Sequence, residues 1–281
     1  MKVGLLLEGG AMRGMYTAGV LDSFLDNNIK VDGIIGVSAG SLFGVNYVSK
    51  QRGRALNYNT KYIKHPMYMG LKSFIKTGNI VNKEFAYYTI PQKLDVFNQE
   101  KFADSNIDFF ATVTNIETCE AEYIKIKDVF KQMEVFRASS ALPFFSQVVE
   151  INGKKYLDGG IADSIPINKM LEMGYDKIIV VLTRPHEYRK STKKNPILFK
   201  IAEKKYGKLA ETIFNRAKVY NNSLDKIEEL EKNKEIFVIR PSYDLKVKRL
   251  EKDVEKITKI YNLGFSDTEN IMDDLKKYLN V

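Results

Sequence analysis

The sequence predicts an α/β fold with a mainly parallel central sheet, and three observations carry that expectation. The apolar run Val3–Leu7 is followed by a glycine turn and then by a helical pattern in which Val20 and Phe24, and Leu21 and Leu25, recur four apart. A second apolar run, Gly33–Val37, comes next, so the chain makes a strand–helix–strand unit whose crossover leaves both strands parallel. Apolar runs at 177–182 and 236–239, separated by helical patterns, extend the same plan.

In chain order, the first helix is expected over 13–27, ending at Asn27-Asn28, and further helices over 39–50 and 54–64. The stretch 62–75, with Met67, Tyr68, Met69, Leu71 and Phe74, is less regular and suits either core packing or a lid over an apolar pocket. Residues 107–116 and 121–127 read as strands and 129–139 as a helix. Asn152-Gly153, in the middle of 147–157, is a hairpin signal that delivers Asp158 to a strand end. A helix is expected over 167–173. The polar, basic stretch 184–196 reads as a surface loop. After it comes a long helix with Leu209, Ile213, Ala217, Tyr220, Leu224 and Ile227 on one face and its lysines outward. Residues 250–262 and 267–279 read as two closing helices separated by Gly264. The expected organisation is a core over 1–183 and a second segment, 184–281, of basic loop, long helix, late strand and closing helices packed on it.

The 281 residues, 44% of them hydrophobic, suffice for a full core. Val3–Leu7 is too short for a signal-peptide core and no apolar stretch approaches a spanning helix, so the expectation is a cytoplasmic protein with at most peripheral membrane contact. Cys119 is the only cysteine, which excludes an intramolecular disulfide and a thiolate zinc site. Of the net charge of +9, residues 184–218 carry +8, with 11 Lys and Arg against 3 Glu. A concentrated basic face suits either a solvated helix surface or anionic lipid headgroups, with nucleic acid the weaker candidate.

Three short motifs carry chemistry. Gly36-Val37-Ser38-Ala39-Gly40 ends an apolar strand as a G-x-S-x-G run, the pattern of a nucleophile elbow. Glu8-Gly9-Gly10-Ala11-Met12-Arg13-Gly14 lies between the first strand and its helix, where amides converge on an anion: an oxyanion or a phosphate. Dinucleotide and Walker loops are excluded, since G-x-G-x-x-G spacing and Gly-Lys-Ser/Thr are both absent. Asp158-Gly159-Gly160 follows the hairpin, either as a plain turn or as a carboxylate brought close to another backbone. Both the first glycine loop and Ser38 fall at carboxyl ends of parallel strands, where open α/β sheets place their sites.

Taken together, the order of glycine loop with arginine, G-x-S-x-G and D-G-G resembles the patatin-like phospholipase family. Ala138-Ser139-Ser140-Ala141-Leu142-Pro143-Phe144-Phe145 and Pro166 add to the likeness, which spans most of the first two thirds of the chain. The resemblance implies a three-layer α/β/α fold, here with added C-terminal helices, and hydrolysis of lipid acyl esters by a serine–aspartate dyad without histidine. Carried over by position, Ser38 is the nucleophile, Asp158 the general base, and Gly9, Gly10, Arg13 and Gly14 the oxyanion loop. Gly36 and Gly40 frame the elbow, and Gly159 and Gly160 the aspartate turn. The loop is one residue longer than the commonest family form, and Ser164 stands where many members carry Asn.

Neither a metal nor a cofactor is expected, because the two histidines lack paired ligands and no calcium-loop spacing occurs. The expected partner is a lipid or other acyl ester. Two rival readings remain: a His-dependent triad of Ser38, Asp158 and His186, and a non-catalytic lipid- or partner-binding protein on the same fold.

Overall fold

In the computed structural model, which describes residues 1–193 and 195–281, eight strands form one sheet. They are β1 (Val3–Leu7), β2 (Gly33–Val37), β3 (Asp108–Asn115), β4 (Ala121–Ile126), β5 (Val149–Ile151), β6 (Lys154–Asp158), β7 (Lys177–Val181) and β8 (Ile236–Ile239). Their spatial order is β5-β6-β3-β2-β1-β7-β8, with β4 also paired to β3. The run from β3 to β8 is parallel; β4, β5 and β6 are added antiparallel.

Alternation along β1 shows why the sheet has two covered faces. Leu5 and Leu7 join the core beneath helices Met15–Asp26 and Ala39–Val48. Leu6 points the other way, into a second core with Val180 of β7 and Tyr220, Leu224 and Ile227 of helix Leu209–Lys232. Strands buried on both sides read as continuous apolar runs, as β1 and β7 do. The result is the three-layer α/β/α arrangement.

The register of β3 positions the site. Its first half pairs with β2 as far as Thr112 opposite Val37. From Val113 onward β6 takes over that edge, with Val113 opposite Asp158, while β4 holds the other edge. Because β2 runs parallel to β3 and β6 antiparallel, the carboxyl ends of β2 and β6 meet head-on between Thr112 and Val113. The hairpin that brings β6 there turns at Asn152 and Gly153, both with positive φ (51° and 78°).

Several expected boundaries shift. A 3-10 turn, Ala11–Gly14, precedes the first helix, and the helix expected from 129 starts only at Met133. Within 62–75 the structure forms a short helix, Leu71–Thr77, whose Leu71 and Ile75 are exposed, while Tyr68 and Met69 are buried. The long basic helix is two, Pro196–Tyr206 and Leu209–Lys232, broken at Gly207 (φ 57°). Gly264 does not separate the closing helices: it lies inside Val254–Asn270, and the break falls at Ile271 before Met272–Leu279. The reason is helix packing, since a Cβ on Gly264 would collide with the Tyr16 carbonyl and one on Gly19 with the Tyr261 carbonyl. Two glycines facing each other let the first and penultimate helices cross in backbone contact. No helix among the described residues is long and apolar enough to cross a membrane.

Candidate active site

Ser38 sits between β2 and helix Ala39–Val48 with φ 53° and ψ −118°, a conformation that costs a non-glycine residue of order 1–3 kcal/mol. The flanking glycines make the turn possible by closeness: a Cβ on Gly36 would lie 2.6 Å from the Ser41 amide, and one on Gly40 would collide with the Leu7 carbonyl. Ser139, fully buried, braces the turn. Its Oγ accepts the Ser38 amide at 3.0 Å and lies 3.1 Å from Ser41 Oγ.

The Ser38 hydroxyl donates to Asp158 Oδ2 at 2.8 Å. Asp158 is buried, and its other oxygen accepts the Gly160 amide at 2.7 Å. Gly159 lies against the Thr112 carbonyl, so the turn closes onto β3. Burial raises the Asp158 carboxyl above its ordinary range; Arg216 and the hydrogen bonds from Ser38 and Gly160 pull it back in part. A carboxylate with raised proton affinity, held against a half-buried hydroxyl on a strained turn, can take that hydroxyl's proton.

The first glycine loop borders the same place. A Cβ on Gly9 would stand 3.1 Å from Ser38 Cβ, and one on Gly14 2.8 Å from Ala39 Cβ, so the loop lies directly over the elbow. Among the described residues the amides of Gly9 and Gly10 donate to nothing. Arg13 Nε is buried without a partner. Glu8, buried just before the loop, holds it in place: Oε2 accepts the Thr183 amide at 2.6 Å and Oε1 accepts the Tyr220 hydroxyl at 2.9 Å. Composition alone did not single out Glu8, although a carboxylate at the end of an apolar strand is the kind of signal that marks such an anchor.

Ser38 and Asp158 line a cavity of about 250 Å³. One region of its wall is apolar, with Phe43, Tyr87, Ile90, Phe97, Met133 and Phe136 among its residues. Another is cationic: Arg13, Arg184, Lys190, Arg216 and Arg249. Two of these correct the expectation of an outward basic face. Arg216 turns inward, donating from Nε to Ser164 Oγ at 3.2 Å, and Lys190 folds from its loop to place Nζ 3.4 Å from the centre of the Tyr220 ring. Exposed residues such as Lys200, Lys204 and Lys218 do project outward, and Lys194 lies outside the described residues.

Neither histidine lines the cavity. His186, 59% exposed, lies 3.8 Å from Glu228, and His65 stacks on Phe85. Among the described residues no group of His, Cys, Asp and Glu could hold a metal.

Comparison with known proteins agrees with the motifs. A sequence profile described as patatin-like phospholipase matches residues 5–171, and one described as a domain of unknown function matches 206–280. The uncharacterized protein YjjU of Escherichia coli K12 is 28% identical over 190 residues, 66% of this chain and 53% of that protein. Lysophospholipase NTE1 of Candida albicans is 30% identical over 191 residues, 64% of this chain and 13% of that protein. The Cryptococcus neoformans NTE1 lysophospholipase is 29% identical over 185 residues, covering 64% and 11%. The chain thus spans about half of the Escherichia coli relative and about a tenth of the fungal ones. The crystal structure of VipD from Legionella pneumophila has the same fold, with a TM-score of 0.50 at 12% identity over 97% of this chain and 67% of that one.

Proposed function

The chain belongs to the patatin-like phospholipase family, and from that premise we propose that it is a serine lipid acyl hydrolase of phospholipase A, lysophospholipase or esterase type, with Ser38 as nucleophile and Asp158 as general base. The observation that carries the reading is the 2.8 Å hydrogen bond between Ser38 Oγ and a buried carboxylate at the edge of an apolar cavity. Asp158 takes the hydroxyl proton as Oγ attacks the ester carbonyl. The resulting oxyanion faces the Gly9 and Gly10 amides, whose free N–H groups suit it; each such donor is worth roughly 2.7–4 kcal/mol of barrier. Collapse expels the alcohol, which leaves with the proton from Asp158, and the acyl group stays on Ser38. Water then repeats the sequence: Asp158 takes its proton, the carboxylic acid departs, and the proton returns to Ser38.

The apolar wall suits the acyl chain. Peripheral contact with an anionic bilayer, in a reducing compartment, is part of the same proposal. Exposed Leu71 and Ile75 lie on one helix, and Ile197, Leu198 and Ile201 on another, with lysines 72, 76, 200, 204 and 205 among them. The two helices are linked by the loop between them: Phe145 accepts the Ile80 amide and the Phe144 amide donates to the Tyr206 hydroxyl.

The test is covalent. A fluorophosphonate probe is expected to label the wild type on Ser38 and to leave Ser38→Ala unlabelled, and both Ser38→Ala and Asp158→Asn are expected to lose at least about 10³-fold in kcat/KM on a short-chain ester. Folded wild type that resists the probe and cleaves no ester rejects the proposal.

A further inference from the structure

We propose that the cationic end of the cavity is a subsite for a phosphate-like anion carried on the alcohol side of the scissile ester. The inference rests on the hydrolase reading above and adds to it the class of headgroup. Its basis is a charge imbalance. Five basic side chains, Arg13, Arg184, Lys190, Arg216 and Arg249, line this end. Only Arg184 makes an ion pair among the described residues, to Asp244 at 3.5 Å. Arg54, on the apolar part of the wall, shows the contrast, because Asp95 neutralises it at 3.0 Å.

Two buried carboxylates offset part of this charge, Glu8 favouring the charged forms of Arg13, Lys190 and Arg216 and Asp158 that of Arg216. Neither forms an ion pair with them, and with Asp244 they make three acidic groups against five basic ones. Glu8 is committed to Thr183 and Tyr220, and Asp158 to Ser38 and Gly160. Cations drawn out of water without a counterion are costly, and the cost is recovered when an anion enters. The side chains register this. Arg216, Arg13 and Arg249 add to burial in lowering the Lys190 ammonium to about 6, and Arg249 lowers Arg216 in the same sense. The orphaned Arg13 Nε has a donor to offer.

Placement assigns the anion to the leaving alcohol. Arg216 Nη2 lies 3.0 Å from where a Cβ on Gly160 would stand, and Lys190 rests on Tyr220, which bonds Glu8 beside the glycine loop. The cations therefore adjoin Ser38 and Asp158, while the apolar residues form the remaining wall, an order matching acyl chain, ester, then charged headgroup. Several guanidiniums favour phosphate, which accepts bidentate pairs on more than one side.

The experiment uses three short, monomeric monoacyl substrates that differ only beyond the ester: a glycerol, a glycerophosphocholine and a glycerol 3-phosphate. kcat/KM is measured for wild type, Lys190→Gln and Arg249→Gln, and binding of all three is measured by calorimetry on Ser38→Ala. Wild type is expected to favour the glycerol 3-phosphate ester over the glycerol ester at least tenfold, and each variant to cut that ratio at least fivefold. A wild-type ratio near one, or a ratio that both variants preserve, overturns the subsite. If nothing turns over but Ser38→Ala still ranks the phosphate ester first by tenfold, the hydrolase reading falls and the subsite stands; equal binding of the three sinks the subsite. Inorganic phosphate, titrated alone, separates the two sources: affinity at least a hundredfold weaker than the ester supports a headgroup, and equal affinity overturns that assignment.

Discussion

Arg216, from helix Leu209–Lys232, braces the turn that carries Asp158: its Nη2 stands 3.0 Å from the Cβ position of Gly160, and its Nε donates to Ser164. Of the influences that counter burial at Asp158, the charge of Arg216 is the largest. A general base works ionised, so kcat/KM is expected to fall as pH drops through the raised Asp158 pKa and to level off above it. Arg216→Gln removes the charge that favours the carboxylate. Its acid limb should therefore move to higher pH, with about a tenfold loss near neutrality on a neutral ester. A limb that stays in place would show that Arg216 acts on packing alone.

The same raised pKa has a sign for stability. Between the ordinary carboxylate range and the raised value, native Asp158 keeps a proton that the unfolded chain has lost, so this group's contribution to stability declines as pH rises through that window. Asp158→Asn is expected to flatten that decline in urea midpoints measured across pH.

Neither imidazole touches the cavity, so His65→Ala and His186→Ala are expected to keep kcat/KM within about twofold of wild type. A folded His186→Ala protein down a hundredfold or more would restore the three-residue alternative.

Gly264→Ala tests the crossing of the first and penultimate helices. The added methyl meets the Tyr16 carbonyl, and overpacking of this kind costs about 1–3 kcal/mol. Thermal and urea midpoints should both fall, whereas Gly153→Ala, with open space around it, loses only what its positive φ costs.

Vesicle flotation reads the exposed apolar and basic helices. Binding to anionic vesicles is expected to weaken several-fold as salt rises, and Ile75→Ser with Ile201→Ser to weaken it at every salt concentration. Retention that ignores both would leave that face without a bilayer role.

How much of this could be read from the chain depended on whether the cause was local. β1, β2 and the Asn152-Gly153 hairpin follow from apolar runs and turn chemistry, and so did the residues around Ser38 and Asp158. Gly264 misled because glycine is a common helix stop in sequence, whereas here it answers a carbonyl on a distant helix. Lys190 and Arg216 were missed for a related reason. Periodicity tracks where apolar side chains face, and a cation folded inward leaves no trace in that pattern. The segment Lys83–Leu94, which gives the cavity Tyr87, Ile90 and Pro91, is wound as a π-helix with an internal proline and shows no clean repeat.

The two walls of the cavity come largely from different stretches of polypeptide: the greasy side mostly from residues between 42 and 136, the basic side mostly from residues between 184 and 249. Tail length and polar identity of a ligand are thus addressed by separate parts of the chain. Either preference could drift in descendants, or be redesigned at the bench, while the other is inherited intact.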